Sequence, residues 1–150
     1  MNPRTSAALA WTAALFRLGL GVVFGWAAIQ KLIDPTSFAT ATANYQLLPG
    51  ALVNVVAATL PSLELIVAVA LLIGVATSGA ALVVAGLNVV FLVAMLQARA
   101  RGIDIDCGCF GSDPSGSIGW ADVLRDVALL GASLWVFAFD RDAASLGPWL

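Results

Sequence analysis

ALVNVVAATLPSLELIVAVALLIGVA, residues 51–76, is a continuous apolar run with one charge, Glu64. A helix that crosses a bilayer needs roughly 20 mainly apolar residues, and this stretch exceeds that. Three other runs share its character: about Ala7–Leu32, about Gly79–Ala98 and about Trp120–Phe139. The first is interrupted only by Arg17, Gln30 and Lys31, and the third only by Asn88. The fourth carries Asp122, Arg125 and Asp126 in its first turns. A transmembrane β-barrel would show short alternating segments instead. The reading is therefore all-α, a single four-helix transmembrane bundle over residues 1–150.

The connections set its topology. Only Thr77-Ser78-Gly79 separates the second and third runs, which predicts a tight antiparallel hairpin there. Ile33–Gly50 and Arg99–Gly119 are the longer loops. Four spans put both termini on one side of the membrane and both longer loops on the other. The first run is too long, and too interrupted by Arg17, for a cleaved signal core, so it is read as retained. Gly21-Val22-Val23-Phe24-Gly25 is a small-xxx-small pattern that lets helix backbones approach in lipid.

Composition agrees and excludes several functions. Of 150 residues, 61% are hydrophobic and 11% charged, against roughly 45–50% and 25% in soluble domains. A chain this apolar is not disordered. A net charge of −2 gives no basic surface for nucleic acid. Lipid is the expected surrounding. There is no histidine, so Ser-His-Asp and Cys-His catalysis, imidazole relays and His-ligated zinc are excluded.

Charges within the runs are the first candidate site, since intramembrane ionisable groups mark function by default. Arg17 and Glu64 both fall near mid-membrane when counted from the starts of their runs, and antiparallel helices can bring them together. The expectation is an Arg17–Glu64 ion pair that either fixes register or lines a polar pocket for a quinone, a small substrate or a proton. Pro61 frees a carbonyl one turn earlier in the same helix. Arg125 enters near the interface with Asp122 as its i,i+3 partner, from the side that also holds Lys31, Asp34, Arg99 and Arg101.

The most specific chemistry is Cys107-Gly108-Cys109-Phe110-Gly111. Two thiols without histidine make a poor zinc site. Gly108 permits the bend that a Cys-x-Cys disulfide needs. Such a small ring is strained and reducible, and it closes too little chain to act as a staple. Thiol–disulfide exchange is one use. Soft-metal binding, of Cu(I) or Hg(II), is another. An inert pair on a scaffold subunit is the third. Arg99 and Arg101 would favour a thiolate, whereas Asp104 and Asp106 would oppose it.

Several of these elements together resemble the MauE/DoxX membrane proteins. Arg17-Leu18-Gly19, Phe24-Gly25 and Lys31-Leu32-Ile33-Asp34-Pro35 are similar to that family's first helix. Tyr45-Gln46-Leu47-Leu48-Pro49 is similar to its next loop, and Leu60-Pro61-Ser62-Leu63-Glu64 to its second helix. Arg101-Gly102 and the CGCFG element, followed by Trp120 and Arg125-Asp126, resemble the MauE branch over nearly the whole chain. The resemblance implies a four-helix protein of thiol redox chemistry, a possible thiol–disulfide oxidoreductase. MauE-type proteins are linked to maturation of the disulfide-rich small subunit of methylamine dehydrogenase, beside a thioredoxin-like partner. That particular substrate is not carried over. What is carried over is disulfide formation or electron supply for an exported, thioredoxin-like or disulfide-rich partner. Cys107 and Cys109 match the family's paired thiols, and Arg17, Glu64 and Arg125 its intramembrane charges. A membrane carrier such as a quinone would complete the electron path, as in quinone-coupled membrane oxidoreductases, which carry two cysteine pairs where this chain has one. The location implied is the plasma (inner) membrane with the CGCFG loop outside, although Lys31, Arg99 and Arg101 on that side lean the charge rule toward the cytoplasm.

Overall fold

The computed structural model describes residues 3–103 and 119–140, with side chains from residue 8 onward. Five helices form the described chain: α1 (Pro3–Ile33), α2 (Pro35–Asn44), α3 (Gly50–Ile73), α4 (Thr77–Ala100) and α5 (Trp120–Phe139). No strand occurs among the described residues. Three stretches are long and apolar enough to cross a membrane: Ala8–Ile33, Gly50–Ile73 and Thr77–Ala100. Their outer faces leave large apolar side chains uncovered, with Val22, Ile66 and Val90 each more than 60% exposed. A water-soluble protein avoids apolar patches of that extent, so the chain is a membrane protein.

The expected loop Ile33–Gly50 contains a helix. Asp34 precedes a proline, which pushes its backbone out of the helical region (φ −129°) and ends α1. Pro35 at the first helical position then starts α2. The Asp34 carboxylate accepts hydrogen bonds from the Ser37 N–H at 3.0 Å and the Ser37 hydroxyl at 2.6 Å. The hydroxyl bond above all holds this carboxyl below its ordinary value of 3.8. A depressed pKa means that the cap stabilises above the unfolded value and fails as pH falls below it. Amide protection factors in α2, taken relative to intrinsic exchange at each pH, should therefore fall when pH drops below about 3.8, and Asp34→Asn, which caps without titrating, should abolish that dependence. An identical pH profile in both proteins would remove Asp34 as the cause.

The tight turn also lies earlier than Thr77–Gly79. Gly74 adopts φ 79° as the C-cap of α3 and Ala76 adopts φ 48°. The Gly74 and Val75 N–H groups both return to the Ala70 carbonyl at 3.0 Å. Only glycine takes that left-handed conformation at little cost, so Gly74 ends the helix inside the apolar run. Thr77, Ser78 and Gly79 begin α4. Pro61 leaves α3 continuous.

Helices α1 and α3 pack antiparallel through the predicted glycines. Gly21 lies against Leu72 and the Ala68 carbonyl, and Gly25 against the Ala68 side chain. Leu20, Phe24, Val67, Leu71, Val84 and Val136 build the main core from α1, α3, α4 and α5. A second cluster, Met95, Ala98 and Val123 with Tyr45 and Ile103, closes the end from which the residue 104–118 segment leaves. At the other end of the bundle, Trp135 of α5 donates its indole N–H to Thr12 of α1 at 3.4 Å.

Candidate functional site

The α1–α3 register decides which charges meet. With Gly21 opposite Ala68 and Leu72, Lys31 comes to Glu64, near the middle of α3. Lys31 Nζ lies 2.7 Å from both Glu64 oxygens, and the side chains are 3% and 1% exposed. This replaces the expected Arg17–Glu64 pair. Arg17 sits well over two helical turns toward the other end, with its guanidinium against Gly74. There it faces the C-terminus of α3, whose unpaired carbonyls favour a cation. A Cβ at Gly74 would collide with it, so the glycine serves the turn and the arginine together.

Lys31 is enclosed further. Its ammonium stands 5.2 Å from the Phe38 ring centroid and 5.4 Å from that of Phe91. Both rings present a π-face environment that favours a cation. Phe38 comes from α2, so the helix hidden in the expected loop builds part of the site.

Behind the ion pair is a water-sized void of about 10 Å³, lined among others by Lys31, Glu64, Asn88 and Asp126. Asn88 and Asp126 are 1% and 2% exposed. Asn88 Nδ2 and Asp126 Oδ2 lack hydrogen-bond partners. A void of this size holds about one water, which could accept from Asn88 and donate to Asp126. The other Asp126 oxygen lies 3.8 Å from Arg125 Nε. Arg125 also bonds Asp122 at 3.1 Å, in the expected i,i+3 geometry. Asp122 in turn accepts from the Gly119 N–H at 3.0 Å, fastening the start of α5. Asn88 and Asp126 belong to this polar centre although neither was a predicted site residue. A lone amide in an otherwise uncharged apolar run was the available signal for Asn88.

In front of the ion pair is a cavity of about 450 Å³ between α2, α3 and α4, lined by Lys31, Phe38, Tyr45, Leu60, Phe91 and Ala94 among others. Arg101 donates to the Tyr45 carbonyl at 3.2 Å and to Gln46 Oε1 at 3.4 Å. Arg99 stacks on Trp120, 4.5 Å from its ring centroid. Cys107, Cys109, Asp104 and Asp106 lie outside the described residues. Among the described residues no group of three metal-ligating side chains occurs.

Residues 9–139 match the family described as methylamine utilisation protein MauE. The chain is 45% identical to the methylamine utilization protein MauE of Methylophilus methylotrophus, over 90% of its own length and 73% of the relative's. It is 35% identical to the protein of that name from Paracoccus denitrificans, over 79% and 64% of the two chains. The corresponding figures for Paracoccus versutus are 38%, 77% and 62%. The chain thus spans between 62% and 73% of the length of these relatives. No solved structure matches it.

Proposed function

The chain belongs to the MauE family, and from that premise we propose that it is a membrane thiol–disulfide exchange protein acting through Cys107 and Cys109. The observation that carries this reading is that its two cysteines stand two residues apart around Gly108. A disulfide there is strained and therefore exchangeable. The partner is an exported protein with its own reactive thiols, thioredoxin-like or rich in disulfides. The names of the relatives set the process in methylamine utilisation. Exchange runs through a mixed disulfide: a thiolate attacks one sulfur of the pair and displaces the other. The two electrons of a reformed dithiol then leave to a carrier soluble in the membrane, for which a quinone has the right solubility and two-electron capacity.

The proposed topology has four spans, α1, α3, α4 and α5, in a single domain. Helix α5 is 20 residues long and pairs or buries the charges in its first turns. Asp122 bonds Gly119 and Arg125, and Asp126 is buried. Leu124, Val127 and Leu134 face outward instead. The segment carrying the cysteines then lies outside the inner membrane, where disulfides persist.

Substituting Cys109→Ser tests the exchange. It should leave Cys107 in a reductant-sensitive adduct with the partner in cells, absent from the Cys107→Ser/Cys109→Ser protein. A membrane-impermeant maleimide should label the wild-type pair in intact cells only after reduction. Failure of both single cysteine variants to trap any adduct would overturn the reading. One soft metal ion retained per chain through both thiols, without exchange, would favour metal binding instead.

A further inference from the structure

We infer that the cavity between α2, α3 and α4 is a quinone-binding site, with Lys31 as the polar contact for the ring carbonyl. The need for an electron acceptor rests on the thiol-exchange reading above, whereas the location rests on the cavity itself.

The cavity suits such a molecule in size, wall and access. Its volume of about 450 Å³ falls within the range of roughly 300–1,000 Å³ typical of small-molecule sites. Its walls are aliphatic and aromatic, with Leu60, Leu87 and Phe91 among them. Leu47, Leu48, Val90 and Val93 at its edge are all exposed, so a ligand dissolved in the bilayer enters without crossing a polar surface.

Lys31 determines what the ligand is. An ammonium has three protons to donate, and the two Glu64 oxygens take two of them. The remaining donor serves the cavity between the Phe38 and Phe91 rings. Thr42, also on the wall, spends its hydroxyl proton on the Phe38 carbonyl at 2.8 Å. Because Glu64 balances the lysine charge, the site has no net attraction for an anion such as a lipid phosphate. It favours a neutral, flat, apolar molecule with an accepting oxygen. Behind Lys31, the Glu64 and Asp126 carboxylates and the unpartnered Asn88 amide group surround the water-sized void. The cavity wall thus presents a proton-bearing atom backed by two carboxylates.

The cavity also lies where the cysteine segment leaves the bundle. Tyr45 lines it and packs against the cluster of Met95, Ala98 and Val123, as does Ile103, the last described residue before that segment. When bound there, a quinone supplies a two-electron, two-proton acceptor, so that dithiol plus quinone becomes disulfide plus hydroquinone.

The test is equilibrium binding of ubiquinone-1 to the full chain in phosphatidylcholine nanodiscs. Wild type and Cys107→Ser/Cys109→Ser should both bind one quinone per chain with equal affinity. Ala94→Phe, which narrows the cavity and keeps the ion pair, should bind at least about tenfold more weakly. Lys31→Met/Glu64→Gln, which removes both charges together, should lose about tenfold, as expected for one charge-assisted hydrogen bond. Absence of saturable binding in wild type would overturn the proposal, as would unchanged affinity in Ala94→Phe. A phospholipid retained at one per chain that quinone does not displace would assign the cavity to lipid and overturn it too. Because the double serine variant is a binding test without thiols, loss of exchange with binding intact would sink only the thiol reading.

Discussion

Replacing Lys31 with methionine should destabilise the bundle by about 3–5 kcal/mol, the usual consequence of removing one partner from a buried ion pair. The methionine itself fits, since its length and apolar character suit the Phe38 and Phe91 surroundings. The loss comes from Glu64, which is 0% exposed and accepts hydrogen bonds from Lys31 at both carboxylate oxygens. Without the ammonium, a carboxylate stands unpaired near the middle of α3, with room beside it for only about one water. Asp126, across the same void, loses a neighbouring cation as well. Glu64→Leu alone strands Lys31 in the same way. The double variant Lys31→Met/Glu64→Leu needs no desolvated charge and should recover most of the loss, because an apolar pair often equals a buried ion pair. Unfolding of the three variants in mixed detergent–SDS micelles, followed by circular dichroism, measures the cycle. A double variant as unstable as the sum of the singles would show that the two charges do not act as a unit.

The same pair shows where a reading of sequence ends. The membrane class was legible because apolar run length is nearly sufficient for it. The glycines of α1 were legible because close backbone approach in lipid requires small residues. The Arg125–Asp122 contact was legible because an i,i+3 spacing lies within one helix. The Arg17–Glu64 pairing was not, because it depended on the register between helices. Counting depth from the first apolar residue treats every run as starting at the same plane. In the structure α1 begins at Pro3, and its contacts with α3 begin well inside it. The glycine register then carries Arg17 to the end of α3 and Lys31 to its middle. Helix α2 escaped because its alanines and threonines form no long apolar run, although Asp34-Pro35-Thr36-Ser37 is a readable helix start. The cavity could not be read at all, since it depends on α2 folding back beside α3 and α4. The chemistry of Cys107 and Cys109 remains a sequence argument joined to family membership.

That register makes Gly21 the second sensitive position. Gly21→Ala should destabilise by about 1–3 kcal/mol, the ordinary range for overpacking a tight contact. A Cβ there would lie 2.7 Å from Leu72 Cγ and 2.8 Å from its Cδ2, with the Ala68 carbonyl oxygen at 3.2 Å. Rotating Leu72 does not relieve the carbonyl contact, because that atom belongs to the α3 backbone. The helices must separate, and the strain passes along α1 toward the Lys31–Glu64 bonds at 2.7 Å. Two neighbouring glycines give internal controls. At Gly25 the added Cβ would meet the Ala68 Cβ at 3.6 Å, an ordinary contact, and at Gly19 it would meet nothing within 4 Å. Alanine at either should be neutral or slightly stabilising, since it is the better helix former. If all three alanine variants unfold at the same SDS fraction as wild type, the α1–α3 contact does not set the register. If only Gly21→Ala is weakened, and combining it with Leu72→Ala restores nothing, the Ala68 carbonyl is the limiting contact. Backbone proximity, more than side-chain packing, would then be what brings Lys31 to Glu64.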